Sequence, residues 1–254
     1  LHKEYRRQRQ MCIRDSNASM NPTQIDHFRT HGCLHLEGFH QKPRMAPLRQ
    51  KLRDELKRLA GAKGGMSAVQ RLPLFQQIGK LSALVNVPGL HEALVTPALL
   101  DLVGQLGGLA SPPAAGPQGT QLLLSPPQQG DWSLQGLNWH VDLAARPQDP
   151  LPGVQAFFLI DDLAPHGGAT LALAGSHRID TRRPASDSQP ALRELLKDPV
   201  DLERRLGEQG VAIVEMCGRA GDVFLMDMRV LHTPSVNATK QPRMMATARC
   251  IFQR

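Results

Sequence analysis

The sequence predicts a mainly β domain, a sandwich or cupin-like jelly-roll barrel, with helices packed outside it. Three observations carry this. Eight short apolar runs punctuated by Gly, Pro and Asp follow residue 119. Helical periodicity is concentrated in the first half, from Pro22 to about Gly107. A Pro/Gly-rich stretch, SPPAAGPQG at 111–119, separates the two textures.

Along the chain, Asn21 stands where a helix cap belongs, Pro22 occupies the first turn, and Gly32 stops the segment NPTQIDHFRTHG. CLHLEGF then alternates like a short strand. In PLRQKLRDELKRLAG, Leu48, Leu52, Leu56 and Leu59 recur at helical spacing before Gly61. Thr96 before Pro97 opens another short helix, TPALLDLVGQLGG. The strand-like runs are TQLLLS, LQGLNWHVDL, VQAFFLI, ATLALA, VAIVEM, DVFLMD, RVLHT and RMMATARCIF. Residues 178–209 interrupt them with polar sequence and a helical piece around PALRELLKDPVDLERRL. This reads as a helical insertion, a lid or a packing appendage. Residues 20–254 are expected to form one domain.

Composition removes several classes of function. Hydrophobic residues make up 41% of the 254 and charged residues 21%, so a packed core is available. The formal charge is +7, but residues 1–19 alone carry five Lys/Arg and two Asp/Glu. The remaining basic residues are interspersed with acids, and aromatics are only 4%, so no nucleic-acid footprint forms. Residues 1–19 have no apolar core of a secretory signal, and MCIRDS resembles the translation of a sequencing-library transposon end. They read as a non-native or disordered segment, with Met20 as the natural start. Cys12, Cys33, Cys217 and Cys250 show neither paired nor regular spacing, which argues against a disulfide framework or a cysteine zinc site and fits a reducing cytoplasm. No window of 18 consecutive apolar residues exists, so no membrane partner is expected.

The chemistry is concentrated in NWHVDL. Side chains at i and i+2 of a strand share a face, so His140 and Asp142 project together, with Trp139, Val141 and Leu143 opposite. A carboxylate on a buried face is costly unless something compensates it, and a divalent metal satisfies both groups at once. His232, at the end of a later strand-like run, is the candidate third ligand. Two histidines and a carboxylate make a facial triad that leaves coordination positions open. Eleven residues on, Arg243 lies on a strand-like run, where an inward guanidinium demands a carboxylate partner. Arg249 has the same parity and is the fallback. Gln121, on an early strand, is a further candidate to reach a bound carboxylate compound.

HVD at 140–142, GGATLALAGSHR at 167–178, GDVFLMD at 221–227 and LHTPSVNATKQPR at 231–243 together resemble the phytanoyl-CoA dioxygenase family, over about residues 22–252. The resemblance implies a double-stranded β-helix and an oxygenase using iron(II), 2-oxoglutarate and O₂. It implies that His140, Asp142 and His232 hold the iron and that Arg243 pairs with the distal carboxylate of 2-oxoglutarate. Thr233 or Ser235 would add a hydroxyl there. No catalytic residue beyond the metal centre is implied, and Gly175, Ser176 and His177 match a structural turn. The retained Asp142 favours hydroxylation over halogenation. The implied reaction is hydroxylation of an unactivated C–H bond of a small organic or acyl substrate.

A different class stays open beside this one. A non-oxygenase cupin-like isomerase, lyase or ligand-binding module would use the same triad without Arg243. His177 and His166 are rival ligands by residue type; the first reads as structural or pocket-lining, the second as a solvated loop residue.

Overall fold

The structure is a computed structural model that describes residues 19–62, 65–114, 119–180 and 191–253. Residues 1–18 of the expected foreign segment and part of the insertion, 181–190, therefore lie outside the described residues.

Helix α1 (Pro22–His31) starts on a reciprocal cap: the Asn21 side chain accepts from the Gln24 N–H at 2.8 Å, and the Gln24 side chain accepts from the Asn21 N–H at 3.0 Å. It ends at Gly32 with φ 69°, and strand β1 (Cys33–Leu36) follows. Helix α2 (Lys42–Gly61) begins five residues before the leucine periodicity suggested, with Pro43 in its first turn. Three helices were not expected: α3 (Gly65–Gln70), α4 (Leu74–Ala83) and α5 (Leu90–Leu94). Helix α6 (Pro97–Gly107) is capped by Thr96, which accepts from the Leu99 N–H.

The strands are β2 (Thr120–Ser125), β3 (Gly153–Leu159), β4 (Thr170–Ala174), β5 (Ala212–Glu215), β6 (Val223–Asp227), β7 (His232–Pro234) and β8 (Arg243–Ile251). They form two antiparallel sheets, one ordered β1-β6-β3-β8-β2 and one ordered β5-β4-β7. The run expected as a strand at 134–143 pairs only at His140, in an isolated bridge to His232. Gly136 takes φ +67° there, and Trp132, Leu134 and Leu137 pack on the insertion, helices α7 (Leu192–Leu195) and α8 (Leu202–Glu208). Its apolar residues are buried by tertiary packing rather than by pairing.

Alternation along the strands sorts the side chains into layers. On β3, Val154, Ala156 and Phe158 face the N-terminal helices, in a core shared with Leu52, Leu81 and Leu102. Phe157 and Leu159 face the smaller sheet, packing with Ala172, Ala174 and Val214. The far side of the smaller sheet, at Leu171 and Leu173, is covered by the insertion helices. The domain is thus mainly β with flanking helices, and both sheets are covered on both faces. Cys33, Cys217 and Cys250 are free thiols. Among the described residues no helix is long and apolar enough to cross a membrane.

His40 ties the helical layer to the larger sheet. Its ring is 4% exposed, stands edge-on to Phe39 and lies against Phe158, with Nε2 buried and unpartnered. Burial, reinforced by the Arg44 cation, pushes its pKa down to about 4, and burial beside His31 does the same to His27. An unfolded histidine titrates near 6.5 (the unperturbed value), so the unfolded chain takes up protons that the folded chain refuses. Stability is therefore fully present above about pH 6.5 and falls as pH drops toward 4. Urea unfolding between pH 7 and pH 4.5 should show this decline, and His40→Phe should lessen it, leaving the part due to His27; an unchanged slope in the variant would contradict the neutral, buried His40.

Candidate metal centre

The centre is built where NWHVDL meets β7. The backbones of His140 and His232 exchange two hydrogen bonds, of 3.0 and 2.9 Å, which sets their rings 4.3 Å apart between centroids. Each imidazole Nδ1 lies on a backbone carbonyl two residues earlier, Asn138 O at 2.9 Å and Val230 O at 3.1 Å. A carbonyl only accepts, so each Nδ1 carries a proton, and in the neutral ring Nε2 keeps its lone pair. This is the tautomer that ligates metal through Nε2.

Asp142 completes the set. Its N–H donates to Met228 O, its Oδ1 accepts from Arg249 Nη2 at 2.9 Å, and its Oδ2 lies 3.5 Å from His232 Nε2. That Oδ2 is buried and has no hydrogen-bond partner. One ligand atom from each of His140, Asp142 and His232 lies within 4.8 Å of the others. Burial, helped by neighbouring His140, pushes the His232 pKa down to about 4 and keeps its ring neutral. An unpartnered carboxylate oxygen grouped with two imidazole rings fits a divalent cation.

The same cavity holds Arg243. Its volume is about 230 Å³, and Gln121, His140, Gln155, His232, Arg243 and Thr247 are among the residues lining it. Arg243 is 1% exposed; Nε donates to Leu123 O at 3.1 Å, Nη1 donates to Gly168 O, and Nη2 is buried without a partner. Burial pulls its pKa down to about 10, so it remains a cation at neutral pH. Gly168 has φ +81°, and a Cβ there would lie 2.8 Å from Asn237 Cβ. The carbonyl that seats the guanidinium therefore depends on a glycine. A buried guanidinium with a free Nη2 fits a ligand carboxylate.

Not every expected residue reaches the cavity. His232 faces it, so Thr233 and Ser235, one and three residues on, point the other way. The Thr233 hydroxyl donates to Pro234 O and the Ser235 hydroxyl to Ala169 O, and neither residue is in the lining. Arg249, the fallback for the carboxylate, is engaged with Asp142 instead. His177 is buried with Nε2 on Arg29 O, and exposed His166 stacks on Trp132; both lie outside the triad.

Sequence reasoning missed Gln155 and Thr247. Thr247 Oγ1 donates to Ala156 O, so it must accept from Gln155 Nε2, at 2.9 Å. This leaves Gln155 Oε1 buried and unpartnered. The signal was a lone amide in the otherwise apolar VQAFFLI, at the parity of Phe157.

The phytanoyl-CoA dioxygenase (PhyH) family model matches residues 28–245. The chain belongs to this family. A curated relative, the ectoine dioxygenase of Nocardia farcinica (strain IFM 10152), is 31% identical over 119 residues, 42% of this chain and 39% of that protein. The match thus spans about two-fifths of that relative's length. The structure of EctD from S. alaskensis with 2-oxoglutarate and 5-hydroxyectoine aligns with TM-score 0.60 at 20% identity, covering 94% of this chain and 79% of that one. The epimerase SnoN, solved with Fe³⁺, α-ketoglutarate and nogalamycin RO, aligns with TM-score 0.54 at 18% identity, covering 90% and 82%. These two likenesses concern the fold alone.

A ligand that binds only the folded state stabilises it by about 2.7 kcal/mol at a hundred times its Kd. With metal bound and oxygen excluded, 2-oxoglutarate at saturation should raise the unfolding midpoint of wild-type protein. Arg243→Met should abolish this rise without unfolding the protein. An undiminished rise in the variant would remove Arg243 from carboxylate binding.

Proposed function

We propose that the chain is an iron(II)- and 2-oxoglutarate-dependent dioxygenase that hydroxylates an unactivated C–H bond of a small organic or acyl substrate. Residues 20–254 act as one domain, and its two sheets are the faces of a double-stranded β-helix. His140, Asp142 and His232 hold the iron, and Arg243 holds the distal carboxylate of 2-oxoglutarate, with Gln121 at the same cavity. One observation carries this reading: His140 and His232, beside the unpartnered Oδ2 of Asp142, line the same cavity as Arg243, whose buried Nη2 is also without a partner. A cupin-like isomerase or lyase has a use for the first feature but none for Arg243.

When bound, iron(II) and 2-oxoglutarate supply an oxidative decarboxylation to succinate and CO₂ that arms O₂ to cleave a C–H bond. The chain's own residues bind, orient and exclude water. The Nδ1 hydrogen bonds fix both imidazoles in the ligating tautomer before metal arrives. Arg243, seated by the Gly168 carbonyl, fixes one end of the co-substrate, so that its other end is aimed rather than free to rotate. Phe75 and Ile78 of α4 give the cavity an apolar wall, and Gln155 Oε1 offers it an acceptor. Together these suit a compact molecule with apolar surface and a hydroxyl or N–H donor.

The test is anaerobic visible absorption. A charge-transfer band should require both iron(II) and 2-oxoglutarate, and should be lost in His140→Ala. Admitting O₂ should then release succinate. A folded protein that gives no band with both additions would overturn the oxygenase reading.

A further inference from the structure

β8 presents two arginines to the cavity on one face, Arg243 and Arg249, three pleats apart. They are not equivalent. Arg243 is fully buried with a free Nη2, whereas Arg249 has a partly exposed side chain and donates from Nη2 to Asp142 Oδ1 at 2.9 Å. From this we infer that Arg249 is a positioning residue: it ties one oxygen of Asp142 so that only Oδ2 is offered to the metal. The inference rests on the proposed function above.

The need for such a tie follows from where Asp142 sits. It lies beyond the His140 bridge, outside any strand, so no ladder fixes its side chain. Its backbone is held by the N–H bond to Met228 O, and its carboxylate by Arg249. A free carboxylate can chelate a metal through both oxygens, which would consume a coordination position that the co-substrate and O₂ need. With Oδ1 bonded to a guanidinium, binding through Oδ2 alone is favoured, and that is the oxygen found without a partner beside His232 Nε2. Arg249 itself is anchored on β8 opposite Gln155 of β3, in the rigid five-stranded sheet. The loop ligand thereby takes its orientation from the sheet.

A rival role predicts the opposite sign. If the guanidinium only offsets the buried Asp142 charge, its cation repels the metal, and its removal should tighten metal binding.

The experiment is anaerobic titration calorimetry with iron(II) alone, on wild type, Arg249→Met, Arg249→Lys, Asp142→Ala and the double variant Asp142→Ala/Arg249→Met. Loss of an outer partner of a metal ligand costs about 10–100-fold in affinity, and Arg249→Met should fall in that range. Arg249→Lys, which keeps one donor, should recover part of the loss, and it carries the test if Arg249→Met fails to fold. On the Asp142→Ala background, Arg249→Met should add nothing, because its effect runs through Asp142. Unchanged or tighter binding in the folded Arg249 variants, or an equal loss on both backgrounds, would overturn the inference while leaving the oxygenase reading intact. Wild-type protein that binds no iron(II) would overturn both.

Discussion

The structure turns on a cost that it does not offset internally. A carboxylate oxygen and a guanidinium nitrogen are buried in one neighbourhood without partners, at Asp142 and Arg243. They do not neutralise each other: Asp142 is tied to Arg249, and Arg243 to two backbone carbonyls. Leaving such groups unpaired is expensive, and folds avoid it unless something from outside completes them. Two different absent partners are implied, one cationic and one anionic. The need for both is what separates a co-substrate-binding metal centre from a plain metal site.

The two-residue period of strands places Arg243, and it places the Arg249 that holds Asp142. Arg243, Thr247 and Arg249 share the inner face of β8, while Met244, Ala246 and Ala248 join the helix-facing core. The helices covering that outer face make the sheet a rigid wall. The smaller sheet brings His232 inward opposite Ala172 and sends Thr233 outward opposite Leu171. Parity therefore excludes Thr233 and Ser235 from the cavity, although their hydroxyls suited a carboxylate by type.

The sequence made some of this legible and hid the rest. Local signals sufficed for α1, where Asn21, Pro22, Gln24 and Gly32 all act within one segment, and for β8, a mostly apolar run of nine residues. His232 and Arg243 were visible because they lie on strands, and His140 and Asp142 were visible from their spacing and order, although only His140 pairs, in an isolated bridge. Helices α4 and α5 have no side-chain N-cap bond, and α3 and α5 are only six and five residues long, so tertiary packing decides them. The run 134–143 alternated like a strand, yet its apolar residues pack on α7 and α8, an arrangement no local pattern encodes. The Arg249–Asp142 bond joins residues 107 positions apart and was invisible for the same reason. Gln155 was readable as an anomaly, but its partner on β8 was not.

The central claim is that one cavity holds a metal at His140, Asp142 and His232 and a carboxylate at Arg243. The most direct measurement is a crystal structure of protein loaded anaerobically with iron(II) and 2-oxoglutarate, with anomalous data at the iron edge. One strong anomalous peak is expected among Nε2 of both histidines and Oδ2 of Asp142, with a ligand carboxylate on Nη2 of Arg243. A peak elsewhere, or 2-oxoglutarate bound away from Arg243, would contradict it.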